Sequence, residues 1–269
     1  MINIVITGCS SGIGLETARY LKERMIRVYP TARKSEDVAK LKELGFEDAQ
    51  YLDVCDSKSI KDVINYVLEK DGKIDVWFNN AGYGQIGALE DIETDLVRKQ
   101  FETNVFGLHE ATREVLKVMR EQGYGKIIQH SSVLGIVSLP FRGVYNASKY
   151  AVEGLTDTLR LELKGTHIFP VLLNTGPVES NFRKNAIATL ESIDSSKSYF
   201  KEYYEKAKSG NSKRVPFSLP ASSVAEVVHK IILTDKPKPR YYITKATYIL
   251  GFAKRLLSTS ILDKLLLKV

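Results

Sequence analysis

Tyr145 and Lys149 lie four residues apart in the run Tyr145-Asn-Ala-Ser-Lys149, and on a helix that spacing puts a phenol and an ammonium on one face, one turn apart. A free tyrosine titrates near ~10, so it is a poor base at neutral pH. A neighbouring ammonium favours the phenolate, and the pair is expected to bring the phenol pKa down toward the working range of an acid–base catalyst. Such pairs also arise by chance. Their chemistry depends on what converges with them.

A second group of residues sits at the other end of the chain, where Thr7-Gly-Cys-Ser-Ser-Gly-Ile-Gly14 follows an apolar run and precedes a helical one. Gly8, Gly12 and Gly14, with Ser10, Ser11 and Ile13 among them, form a tight turn whose backbone can approach a pyrophosphate, and a helix N-terminus there supplies N–H donors and a favourable dipole. The end of the second apolar run reads Thr31-Ala32-Arg33, where enzymes of NAD place an acid for the ribose hydroxyls. Ala32 removes that carboxylate and Arg33 offers a charge-assisted bond to a 2′-phosphate, so NADP(H) is the expected cofactor. Asp53 and Val54 are placed to meet the adenine, although Asp53 could equally cap a turn.

Positioning these groups requires regular elements, and apolar strand-like runs alternate with helix-period segments along the whole chain. Strands are expected at 2–7, 28–31, 49–52, 75–79, 125–130, 167–173 and 241–244, and helices near 12–25, 35–44, 57–70, 95–121, 145–164 and 221–234. Asp56 reads as the cap of the third helix, and Ser223 with Glu226 has the spacing of a capping box for the sixth. The fold class is therefore α/β: one domain over residues 1–269, with a doubly wound parallel sheet of seven strands and helices on both faces. Two segments fall outside the alternation. Residues 176–220 are too long for a plain connection and are expected to form a helical lid over the substrate. Residues 245–269 read as two short amphipathic helices with a Ser-Thr-Ser break.

The combination of TGCSSGIG, Asn79-Asn80-Ala81-Gly82, Ser131-Ser132 and YNASK resembles the short-chain dehydrogenase/reductase family with its Rossmann-type sheet. The order and gaps of the four motifs are family-like, with Ser132 thirteen residues before Tyr145 and Asn104 twenty-eight before Ser132. The resemblance implies that Asn80, Ala81 and Gly82 line the cofactor and that Asn104 holds a proton-relaying water behind Lys149. It also implies that Ser132 bonds the substrate oxygen, that Tyr145 protonates that oxygen in reduction, and that Lys149 holds the nicotinamide ribose. Gly176, Pro177 and Val178 match the family's turn beside the nicotinamide, in the inverted order Gly-Pro. That inversion is similar to the 17β-hydroxysteroid and retinol dehydrogenase-like subgroup. His130, just before the serine pair, departs from the pattern and reads as a packed strand residue.

Composition narrows the partners. Hydrophobic residues at 43% and charged residues at 26% are ordinary globular values. An apolar strand at the start of the sequence leaves no room for a secretion signal, and Cys9 and Cys55 suit neither a disulfide scaffold nor a metal site, so a reducing cytoplasm and no bound metal are expected. The net charge of +7 arises wholly after residue 235, where eight basic residues face one acid. No nucleic-acid motif accompanies it, and no nucleic-acid partner is expected. The charged amphipathic helices at 245–269 fit packing over the substrate mouth or against a second copy in a homo-oligomer, which is the favoured role, or peripheral contact with an anionic lipid surface.

Aromatic and aliphatic residues of the lid (Phe182, Ile187, Leu190, Tyr199, Phe200, Tyr203, Tyr204) and Leu139, Pro140 and Phe141 opposite point to a lipophilic aldehyde, ketone or alcohol. About half of the lid aromatics would serve only to pack the lid down. Two other functions compete: a 3-oxoacyl-thioester reductase, for which lid and tail are unusually long, and a non-catalytic NADP-binding sensor or scaffold, which would not need to retain Tyr145 and Lys149.

Overall fold

Asn3-Ile-Val-Ile6 is buried at every position, as a strand must be when parallel neighbours carry helices on both of its sides. In the computed structural model, which describes residues 1–209 and 216–268, this strand, β1 (Asn3–Ile6), lies mid-sheet. The others in chain order are β2 (Arg27–Ala32), β3 (Gln50–Tyr51), β4 (Val76–Asn79), β5 (Tyr124–Ser132), β6 (His167–Thr175), β7 (Val178–Glu179), β8 (Leu219–Pro220) and β9 (Arg240–Tyr242). Seven of them form one parallel sheet in the order β3-β2-β1-β4-β5-β6-β9, and β7 pairs with β8. The chain reverses its direction of winding between β1 and β4. In open α/β sheets that switch point opens a crevice beyond the carboxyl ends of the strands.

The helices are α1 (Gly12–Lys22), α2 (Ser35–Glu43), α3 (Ser57–Asp71), α4 (Thr94–Phe101), α5 (Leu108–Gln122), α6 (Gly143–Glu162), α7 (Phe182–Ala188), α8 (Lys201–Lys208), α9 (Ser222–Leu233), α10 (Lys245–Leu256) and α11 (Thr259–Leu266). Alternation along β1 assigns them to two layers: Ile4 and Ile6 pack with Leu21, Leu41, Val224 and Val228 of α1, α2 and α9, whereas Val5 packs with Ile60, Val67, Val115 and Met119 of α3 and α5. Asp56 caps α3 by accepting a bond from the Lys58 N–H at 2.9 Å, as its position in the sequence suggests.

Three expectations are corrected. The helix expected over 95–121 is split by a π-helical turn at Glu102–Gly107, where the Asn104 side chain bonds the backbone of Tyr83 instead of solvent. Ser223 and Glu226 form no capping box, because the helix begins at Ser222 after Ala221 and Ser223 already lies within its first turn. The strand expected over 49–52 shrinks to Gln50–Tyr51, since only these two residues pair with β2 at the sheet edge. Of the expected lid, residues 210–215 lie outside the described residues, as does Val269 of the tail. The rest of the lid carries β7, α7, α8 and β8, and the tail carries α10 and α11.

Candidate active site

The glycine-rich turn lies between β1 and α1. Gly8 and Gly12 adopt φ of +74° and +59°, a left-handed backbone that side-chain-bearing residues avoid. A Cβ on Gly14 would lie 2.4 Å from the Gly8 carbonyl oxygen, so the turn closes only with glycine there. Ser11, at the N-cap of α1, makes no side-chain cap bond, and no acid stands in the first turn. The N–H groups of the α1 N-terminus are thus arranged as an anion site, which fits the pyrophosphate of a dinucleotide.

Thr7 fastens this turn to the end of β4. Its hydroxyl accepts bonds from the N–H groups of Asn80 (3.0 Å) and Ala81 (2.9 Å), and the Asn80 amide donates back to the carbonyls of Thr7 (2.8 Å) and Gly8 (3.0 Å). Those donations fix the Asn80 oxygen as an acceptor, and it meets His130 Nδ1 at 3.0 Å. His130 Nδ1 therefore carries the proton, and Nε2, 2.9 Å from the Thr175 hydroxyl, accepts from it. Burial, followed by the charge of Lys149, pushes the His130 pKa down to about 3, so the ring stays neutral. His130 is more than a packed strand residue: it joins the glycine-rich turn to the end of β6, where Gly176, Pro177 and Val178 begin. Sequence reasoning missed Thr7 and this role of His130. A threonine ending a strand before a glycine turn was a readable signal, whereas the partners of His130 lie 45 and 50 residues away.

Pairing of β5 with β6 sets Ser132 opposite Thr175. Ser132 Oγ accepts from the Leu134 N–H at 3.1 Å, which pins the short turn after β5. The first turn of α6 then places Tyr145 beside it, 8% exposed, and Lys149 follows at 7%. Burial pushes the Tyr145 phenol up to about 12, against a smaller opposing hydrogen bond from Ser132. The expected lowering by Lys149 is not what this arrangement gives. The ammonium lies 5.8 Å from the phenol ring centre and donates instead to the His130 carbonyl at 2.6 Å, so desolvation dominates. Burial likewise brings Lys149 down to about 8, partly offset by Glu153. The phenol is consequently a proton donor at neutral pH, beside an ammonium that is still mostly charged.

Glu153, one turn beyond Lys149, was not singled out from the sequence. Its carboxylate accepts from Ser131, from Asn174 Nδ2 (2.7 Å) and from Arg240 of β9 (2.6 Å), tying α6 to the far strand of the sheet. Asn104 reaches α6 through Ser148, at 3.2 Å, and not through Lys149, while Ser148 donates to the Tyr145 carbonyl at 2.7 Å. The remaining cofactor candidates are more peripheral. Arg33 is exposed after β2, next to buried Ala32, and its charge reaches the Tyr83 phenol beyond Gly82. Asp53 Oδ1 accepts from the Cys55 N–H at 3.0 Å, the turn-capping role, and Val54 packs where a Cβ on Gly107 would meet its carbonyl.

Apolar groups surround the phenol. Val133, Leu134 and Val137 cluster with Tyr145 and with Leu250, Leu262 and Leu266 of α10 and α11, and the Phe182 ring of α7 lies 5.4 Å from the Tyr145 ring. Other lid aromatics hold the lid down: Tyr203 stacks on Phe141 at 3.5 Å, and buried Tyr204 donates to Asp91 at 2.7 Å. Tyr199 is 90% exposed and only meets the Phe200 ring edge-on at 5.2 Å.

Known proteins place this geometry in context. The short chain dehydrogenase family model matches residues 3–191. The chain is 35% identical over 98% of its length to the uncharacterized oxidoreductase YbbO of Escherichia coli K12, covering 93% of that protein. It is 34% identical over 90% of its length to human 17-beta-hydroxysteroid dehydrogenase type 1, covering 77% of it. A short-chain dehydrogenase from Streptomyces avermitilis superposes with a TM-score of 0.80 at 27% identity, covering 98% of this chain and 94% of that one. A short chain dehydrogenase/reductase from Burkholderia phymatum in complex with NAD superposes with a TM-score of 0.76 at 26% identity, covering 98% of this chain and 95% of that one.

Proposed function

The chain belongs to the short-chain dehydrogenase family of oxidoreductases, and from that premise we propose that it uses NADP(H) to interconvert a lipophilic aldehyde or ketone and its alcohol. The observation that carries the proposal is the buried, protonated phenol of Tyr145 hydrogen-bonded to Ser132, with Lys149 one helical turn away. When bound, the nicotinamide supplies the hydride. Every other task falls to the chain. Ser132 donates to the substrate oxygen and stabilises the charge that grows on it. Tyr145 gives its phenolic proton to that oxygen as the C–H bond forms. The Lys149 ammonium, anchored on the His130 carbonyl, would hold the nicotinamide ribose. Asn104, through Ser148, fixes the first turn of α6. The turn from Gly8 to Gly14, with Asn80, Ala81, Gly82 and the Gly176-Pro177-Val178 segment, cradles the dinucleotide.

A lipophilic substrate is supported by the aliphatic cluster around Tyr145 and by the Phe182 ring beside it, because such walls reward apolar burial at about 25 cal/mol per Å². The relative named for a hydroxysteroid is consistent with that class. NADP(H) over NAD(H) rests on Arg33 following Ala32 at the end of β2. Absorbance assays with a lipophilic aldehyde, an acetoacetyl thioester and both cofactors test the proposal, the aldehyde with NADPH being the expected best pair. Arg33→Ala is expected to raise KM for NADPH by about 10- to 100-fold, the size of a lost charge-assisted bond, and to leave NADH little changed. An unaltered ratio of the two would show that Arg33 does not read the 2′-phosphate.

A further inference from the structure

We infer that the outer face of α10 and α11 is a docking surface for an anionic lipid bilayer. The inference stands apart from the reaction proposed above, because it concerns a face of the protein that does not touch the catalytic groups. Helix α10 buries Thr247, Leu250 and Gly251 against the body. A surface helix is ordinarily polar on its other side. Here the opposite stripe is Tyr248, Ile249, Phe252 and Leu256, exposed by 59%, 54%, 66% and 65%. Helix α11 repeats the arrangement, with Leu262 and Leu266 inside and Ile261 and Leu265 outside, and Leu267 follows at 73% exposed.

Charge decides what covers this face. Lys245, Lys254, Arg255 and Lys264 are exposed on the same two helices and Lys268 is exposed just after them, against the single acid Asp263. A two-fold contact between copies would set this cationic rim against itself, and a cytosolic protein partner would need a dedicated acidic groove. An anionic bilayer satisfies both features at once, taking the aromatic and aliphatic stripe into the headgroup boundary while phosphates meet the cations. No helix among the described residues is long and apolar enough to cross the membrane, so the helices would lie in the surface plane. Their inner residues Leu250, Leu262 and Leu266 belong to the cluster around Tyr145. Docking would therefore seat the apolar side of the site at the lipid, where a lipophilic substrate is concentrated.

Vesicle co-sedimentation of the full chain tests this, comparing phosphatidylcholine containing phosphatidylglycerol with phosphatidylcholine alone. Binding is expected to the mixed vesicles, weakening as salt rises. The double variant Phe252→Ser, Leu256→Ser is expected to lower partitioning by about a hundredfold, and Lys254→Gln with Arg255→Gln by roughly tenfold or more. Reduction of a water-soluble aldehyde should be unchanged in both, which separates loss of docking from loss of the site. The inference is overturned if neither vesicle binds, if the serine variant binds as well as the parent, or if sedimentation equilibrium shows a dimer that the same variant dissociates while vesicles remain unbound.

Discussion

Tyr145→Phe is expected to reduce kcat for carbonyl reduction by about 10³-fold, within the range that a positioned acid contributes. The ring would stay where it is, held by Phe182 and by the cluster of Val133, Leu134 and Leu250, so only the proton is removed. Because burial holds the phenol near 12, essentially every molecule presents that proton at neutral pH, and its loss is not masked by an inactive fraction. Dinucleotide affinity, read by fluorescence titration, should change little, since the anion site is built on Gly8, Gly12 and the start of α1. Melting temperature should hold as well. A variant that keeps a tenth or more of the parent's kcat would mean that another group protonates the substrate, and it would revive the reading of a dinucleotide-binding scaffold.

Arg240→Met should cost about 3 kcal/mol of stability, the lower end of the range for removing one partner of a buried ion pair, because the Arg240 side chain keeps 27% exposure. What remains is a carboxylate at Glu153 with only neutral donors, Ser131 and Asn174. Burial already raises the Glu153 pKa, and removing the guanidinium raises it further. A carboxyl whose folded pKa lies above its unfolded value binds more protons when folded, so stability falls as pH rises through that interval. The deficit of Arg240→Met relative to the parent should therefore be smaller in mildly acidic buffer than at neutral pH. Urea unfolding at two pH values reads both statements. The double variant Glu153→Gln, Arg240→Met should recover part of the loss, since it removes the uncompensated carboxylate and keeps an acceptor for Ser131 and Asn174.

The parts of the site legible in the sequence are those set by local geometry. A strand, a glycine turn and a helix start lie within a dozen residues, so the placing of Gly8, Gly12 and Gly14 follows from spacing alone, as does the common face of Tyr145 and Lys149. Parallel pairing also announces itself, because β1 and β6 must be apolar on both faces. Non-local contacts are what the sequence hides. The π turn at Asn104 exists because its amide finds the Tyr83 backbone 21 residues away, and nothing in the run 95–121 signals that partner. The Tyr145 pKa moves opposite to expectation for a related reason: spacing gives the Lys149 distance but not the depth of burial or the His130 carbonyl that takes up the ammonium. Lid aromatics were likewise ambiguous, since Tyr204 at a wall and Tyr204 bonded to Asp91 have the same sequence. The tail shows a third case, in which α10 is apolar on two opposite faces and the sequence alone does not say which one meets protein.

The pH dependence of kcat/KM for carbonyl reduction tests the pairing of phenol and ammonium most directly. Lys149 is held down to about 8 in the folded chain, so its charge is present below that value and lost as pH rises through it, while the Tyr145 proton persists to about 12. The parent should show a flat profile at neutral pH and a decline with an apparent pKa near 8. In Lys149→Arg, where the guanidinium stays charged, the decline should move well above that, however slow the variant is. A parent profile that rises through this range, or a decline left at the same pH in Lys149→Arg, would contradict the account.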